Sequence, residues 1–213
     1  MIEVRKKSWS DITISDYKKM LKISEDEYLS PIEKDAGVLA VICGCEESDI
    51  WNLGVNEFNI LRGEMEFLNH FDFPKDWKMR KMKIAGEEYE VQADVSKFTV
   101  SQYMDYQSLW KSKEKHMGSM LTVFLVPRGK TYNEGYDINR LAEVFEDNVS
   151  IMTYNSICFF FLRNLVSSTS ASQIYSILTL RRMIKREKDP GEKEKLQMML
   201  DQMEAKPVLI CYV

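Results

Sequence analysis

Apolar residues recur along most of this chain at the spacing of amphipathic helices, and the breaks between them carry cap chemistry. Ser30-Pro31-Ile32-Glu33 combines an N-cap serine, proline at the first helical position and glutamate at the third. The helix it opens is expected to bury Ile32, Ala36, Leu39, Ala40 and Cys43 and to stop near Gly44. After a short turn at 49–53, Asn56 opens a second stripe of Phe58, Leu61, Met65 and Leu68. Phe73-Pro74 breaks the pattern. Met82 and Ile84 then alternate with lysine, and Tyr89 and Val91 with glutamate, around Ala85-Gly86-Glu87-Glu88. Period-two alternation on both sides of a turn predicts a β-hairpin near 79–91.

The second half returns to the helical period. Thr99-x-x-Gln102 is a capping box, with Phe98 and Tyr103 placed as its hydrophobic staple. The helix should carry Val100, Tyr103, Met104, Gln107 and Trp110 on one face. The run 117–126 is continuously apolar and ends at Pro127, so periodicity leaves helix and strand both open, helix preferred. A loop at 128–136 holds Tyr132 and Tyr136. Asp137 caps a stripe of Ile138, Leu141, Ala142 and Phe145, and Ser150 caps an apolar helix over 151–166. A serine-rich break at 167–170 precedes a helix bearing Ile174, Ile177, Leu178 and Arg181. Asp189-Pro190-Gly191-Glu192 opens the last helix, with Leu196, Met199, Leu200 and Met203 at i, i+3, i+4, i+7 spacing. These elements predict a mainly α fold: a helical bundle with a small β-hairpin excursion and an extended apolar C-terminal arm. The expected division is a body over 1–166 and a C-terminal segment over 167–213.

Composition narrows the function classes. The chain has 213 residues, 45% hydrophobic and 29% charged, which suits a globular core. A net charge of -4 gives no general attraction to nucleic acid or anionic lipid. The N-terminus lacks the apolar core of a secretory signal, and 151–166 is too short and polar for a membrane span. Four cysteines are too few for a disulfide framework, and a reducing compartment is the expected setting. Cys158 reads as a small core residue. Cys43 and Cys45 flank Gly44 without the further ligands zinc needs, so no metal or cofactor is expected. The only histidines, His70 and His116, have no orienting acid or nucleophile nearby in sequence. Glu143, Glu146 and Asp147 fall opposite an apolar stripe as a solvated face. No catalytic residue is assigned, and the chain reads as a non-enzyme.

Three features remain for function. The C-terminal Val208, Leu209, Ile210, Cys211, Tyr212 and Val213 form an apolar stretch suited to a sheet edge or groove, in its own chain or another. Tyr132 and Tyr136 are loop aromatics placed as interface anchors. Arg181, Arg182, Lys185 and Arg186 form the densest positive run, a candidate phosphate contact. Acidic residues follow at once and no aromatic platform is interleaved, so a solvated helix end is the simpler reading and nucleic acid an unfavoured partner.

The order of SWSDITISDYKKMLKI, FNILRGEMEFLNHF, the hairpin with KFTVSQYMDYQ, and LTVFLVP resembles small structural or assembly proteins of tailed bacteriophages. The likeness is especially to those of crAss-like and related phages of gut Bacteroides, over roughly residues 8–165. The resemblance implies a virion protein, assembled in the bacterial host cytoplasm, such as a head–tail connector or neck subunit. Its partners would be the portal or neighbouring ring subunits, with homo-oligomer formation. A tail assembly chaperone absent from the mature particle, and a nucleic-acid-associated phage protein, are the competing roles it implies.

Overall fold

The structure is a computed structural model that describes residues 2–71, 80–92, 94–110, 112, 115–186 and 189–204, with the backbone alone for 164–179, 186, 190 and 202–204. It is mainly α with a small antiparallel sheet. The chain divides into two compact units, Met1–Cys158 and Phe159–Val213.

The first unit begins with α1 (Ile14–Glu25) and α2 (Pro31–Cys43), which pack together. Thr13 caps α1 in a capping box with Asp16, a start the sequence reading missed. The Ser30–Glu33 box caps α2 as expected, and Gly44 closes it with a left-handed φ of 63°. Ala36, Leu39, Ala40 and Cys43 are buried, whereas Ile32 is exposed: it sits in the first turn, before the helix enters the core. A short α3 (Glu47–Trp51) and α4 (Val55–Gly63) follow. The predicted stripe through Met65 and Leu68 does not continue as α-helix, because Glu64–Asn69 tightens into a 3-10 turn. Trp9 crosses back to this turn, with Phe67 at 6.2 Å between ring centroids and its indole N–H donating to the His70 carbonyl at 2.9 Å.

Two helix starts meet at one point. Thr13 and Ser150 form a bridge, with Ile14 N–H donating to Val149 O at 3.0 Å and Ile151 N–H to Ile12 O at 2.8 Å. Each bridging residue also caps a helix: Thr13 caps α1, and Ser150 Oγ accepts from Thr153 N–H at 3.2 Å. Ile12, Ile14, Val149 and Ile151 are buried around it.

The predicted hairpin is β1 (Lys81–Ile84) and β2 (Glu87–Val91). Its turn is shorter than expected: Ala85 and Gly86 alone make it, with φ of 48° and 90°. Glu87 and Glu88 therefore belong to β2. The hairpin is stabilised by a third strand, β3 (Leu125–Pro127), in the order β1-β2-β3. The run 117–126 thus contains both of its possible readings, α6 (Met117–Phe124) and then β3. The switch has a hydrogen-bond cause. Helix C-termini leave carbonyls unpaired. Here Val123 O accepts from Gln102 Nε2 at 2.6 Å and Phe124 O from Gln92 N–H at 2.8 Å, which frees the next residues to pair with β2.

α6 is the centre of this unit, with Met120, Leu121, Val123 and Phe124 all fully buried. α5 (Val100–Trp110) and α7 (Ile138–Asn148) both pack on it. Gly118 permits the α7 contact: a Cβ there would lie 2.4 Å from Ala142 O. Glu146 fills that junction. It accepts from Gly118 N–H at 3.2 Å and pairs with Lys18 at 2.5 Å, so it is a half-buried tie rather than a solvated carboxylate.

α8 (Ile151–Arg186) runs unbroken through the serine-rich segment 167–170. Serine and threonine lower helix propensity by only about 0.5 kcal/mol each, too little to end a long helix. The boundary between the units falls within α8, after Cys158. In the second unit, Asp189 caps α9 (Pro190–Glu204), accepting from Gly191 N–H at 2.8 Å and Glu192 N–H at 3.0 Å. Leu200 is buried but Met199 is exposed, so the predicted stripe of α9 is narrower than its spacing suggested. Among the described residues no helix is long and apolar enough to cross a membrane.

Candidate interaction surface

The loop between β3 and α7 does not present its tyrosines as expected. Gly129 and Gly135 take left-handed φ values of 76° and 72° and curl the loop back onto the unit. Tyr132 is 5% exposed, and its hydroxyl donates to Asp105 of α5 at 2.8 Å. Burial, then the Asp105 carboxylate, pushes the phenol well above its ordinary range. Tyr132 is therefore a strut between loop and α5, not an exposed anchor. Tyr136 is half-buried: its oxygen accepts from Asn133 N–H at 3.0 Å, and Lys130 Nζ lies 5.8 Å from its ring centroid. Beside it a groove of about 700 Å³ opens between the sheet and α7, lined in part by Glu88, Arg128, Lys130, Tyr136 and Arg140. Arg128, next after β3, and its neighbour Glu88 on β2 pair on the sheet side of the groove at 2.5 Å, and Glu87 and Asp137 in the lining offset Lys130 and Arg140, which leaves little net charge to draw an ion.

The other predicted residues do not converge on these. The segment 208–213 lies outside the described residues. Arg181, Arg182 and Lys185 are exposed on the last turns of α8, and the side chain of Arg186 lies outside the described set. Cys43 is buried, and desolvation, reinforced by Cys45 and Glu64, pushes its thiol up to about 11, the reverse of an activated or metal-binding thiolate. Cys158 is buried, as a small core residue should be. His70 and His116 are both exposed, His116 just before the first turn of α6. No group of three or more metal-ligating side chains occurs among the described residues.

What the sequence reading missed is the outward face of α5. The residues predicted to share one face of α5 are largely exposed: Val100 is 82% exposed, Met104 60% and Tyr103 39%. The side chains that enter the core are Gln102 and Tyr106, at 1% and 7%. Thr99 Oγ1 does accept from Gln102 N–H at 3.2 Å, as the capping box requires. The Gln102 side chain, however, turns inward to Val123 O and to Gln92 Oε1 at 3.1 Å. That commitment rotates the helix so that its apolar stripe faces out. Further large apolar side chains stand exposed on α3 and α4, among them Trp51, Val55 and Ile60. The sequence signal that points to the α5 face is its lack of charge rather than its period.

Comparison of the chain with protein-family models, with curated proteins and with solved structures finds no match.

Proposed function

We propose that this protein is a non-enzymatic structural subunit of a tailed bacteriophage particle, a head–tail connector or neck component that works by association with other subunits. The observation that supports association is the set of large apolar side chains held in water on ordered helices, with Val100 and Val55 at 82% and 76% exposure. On α5 the exposed Val100, Tyr103 and Met104 lie on one helix face, the kind of grouped apolar surface that marks a contact site. The phage assignment rests on the resemblance carried by SWSDITISDYKKMLKI, FNILRGEMEFLNHF, KFTVSQYMDYQ and LTVFLVP, all of which fall in the first unit. The partners would be the portal or neighbouring ring subunits.

A second reading has its own support. Met104, Met183, Met198 and Met199 are each about half exposed or more. Exposed methionines adapt to varied apolar partners, which suits a tail assembly chaperone that leaves before the particle matures. Quantitative mass spectrometry of purified particles beside the lysate of the producing cells separates the two. Presence at a fixed copy number in particles is the expected result. Abundance in lysate with absence from particles would overturn the structural reading in favour of the chaperone.

A further inference from the structure

The charge of the chain is divided unevenly between its two units. Met1–Cys158 holds 20 Lys and Arg against 27 Asp and Glu, a net -7, and Phe159–Val213 holds 9 against 6, a net +3. Each excess is concentrated. In the first unit, 46–66 spans α3, α4 and the 3-10 turn and carries Glu46, Glu47, Asp49, Glu57, Glu64 and Glu66, all exposed. The one cation of that stretch, Arg62, is paired with Asp35 at 2.7 Å. In the second unit, 181–188 carries five cations against Glu187, and Arg181, Arg182 and Lys185 are exposed. Both stretches hold large apolar side chains in water beside their charges. Glu47 accepts from the Trp51 indole N–H at 2.9 Å, and Glu64 stands one turn after the exposed Ile60. Met183, 49% exposed, lies between Arg182 and Lys185. Tryptophan, methionine and arginine are the residues enriched where proteins meet.

We infer that copies of this protein associate head to tail, the basic end of α8 of one copy docking on the acidic α3–α4 surface of the next. Opposite potentials across a contact steer encounter and fix its register. The acidic surface repels nucleic acid and anionic lipid and calls for a cationic partner with an apolar centre. The chain carries that partner itself: every copy that presents the acidic surface also presents the basic one, in equal number. Because the two surfaces differ, the contact is heterologous. Each bound copy keeps one surface open, and association continues until a ring closes or a filament forms. The inference rests on the association reading above and names its partner as a second copy. Exposed ion pairs are individually weak and screened by salt, so a single contact forms a weak equilibrium that gains strength where several copies are held together.

Sedimentation velocity of the full chain over a concentration series, at low and high salt, tests this. The wild type should sediment faster as concentration rises, and salt should weaken that association. Arg182→Glu with Lys185→Glu, and in a separate chain Glu64→Lys with Glu66→Lys, should each weaken it about tenfold or more. An equimolar mixture of the two should restore it, because each variant then offers the charge the other lacks. Circular dichroism checks the fold, and glutamine at the same positions repeats the test, in the same direction, should a reversed chain not fold. Glu143→Lys, exposed on α7, should leave association unchanged. Association insensitive to salt and to both reversals, or a mixture that fails to recover, would overturn the docking of these two surfaces and leave subunit association standing. A wild type that is monomeric throughout would overturn the second copy as partner, while particle mass spectrometry decides the association reading separately.

Discussion

α5 and α7 are both 11 residues long and both pack against α6, yet they use their apolar residues in opposite ways. α7 turns Leu141, Ala142 and Phe145 inward and leaves Glu143 and Asp147 in water. α5 turns Gln102 and Tyr106 inward and leaves Val100 and Met104 in water. The amide of Gln102 makes the difference. It satisfies a carbonyl at the end of α6 that would otherwise be buried without a donor, and a buried unpaired carbonyl costs more than an exposed methionine. An apolar stripe at helical spacing therefore states that a face is apolar; what lies against that face is decided elsewhere in the fold.

The two helices should differ most in stability at Phe145, which α7 turns inward. Its ring is fully buried and meets Tyr89 of the sheet edge-on at 5.1 Å. Phe145→Ala should destabilise the first unit by about 3–5 kcal/mol. Met104→Ala, the matching truncation on α5, should change stability by less than about 0.5 kcal/mol. Urea unfolding midpoints of the two variants check both values; a large loss at Met104 would mean that α5 is ordinary core.

Gln102 gives the next largest effect. Gln102→Ala removes the donors to Val123 O and Gln92 Oε1, and should cost about 1–3 kcal/mol. The loss should appear as faster amide exchange at the junction of α6 and β3, where these bonds hold the helix-to-strand switch. A stability equal to wild type would show that the Gln102 amide does not set the orientation of α5.

A smaller effect than that of Gln102 is expected in α1, which is tied to α7 through Lys18 and Glu146. Burial raises the carboxyl of Asp16, but hydrogen bonds from Lys6 and Thr13 outweigh it and hold the group below its ordinary 3.8. A carboxylate lowered on folding contributes stability that is complete above the unfolded value. That stability fades as pH falls through the folded one. The difference in unfolding midpoint between wild type and Asp16→Asn should thus be flat above pH 3.8 and shrink below it. At neutral pH the corresponding difference in unfolding free energy should be about 1 kcal/mol in favour of wild type. A difference independent of pH would show that the Asp16 pair does not titrate with folding.

Caps and turns were the most legible part of the chain. Ser30, Thr99, Asp137, Ser150 and Asp189 all accept from the backbone N–H groups their positions imply. Cap chemistry is local, so a few adjacent residues decide it. The hairpin was legible for the same reason, though its turn proved tighter than its composition suggested. The third strand was not, because β3 exists only by pairing with residues more than 30 positions earlier in the chain. The orientation of α5 and the inward tie of Glu146 also depend on distant groups, the end of α6 for one and Lys18 with Gly118 for the other. The candidate site was legible only in part. Tyr136 does border a groove, but Tyr132 is drawn inside by Asp105, a partner 27 residues away. The apolar end of the chain, 208–213, lies outside the described residues.

The most direct test of an α5 stripe turned to water is methionine oxidation of the folded wild type by peroxide, read by mass spectrometry. Met104 should oxidise readily while Met120, fully buried in α6, stays protected. Protection of Met104 equal to that of Met120 would contradict it.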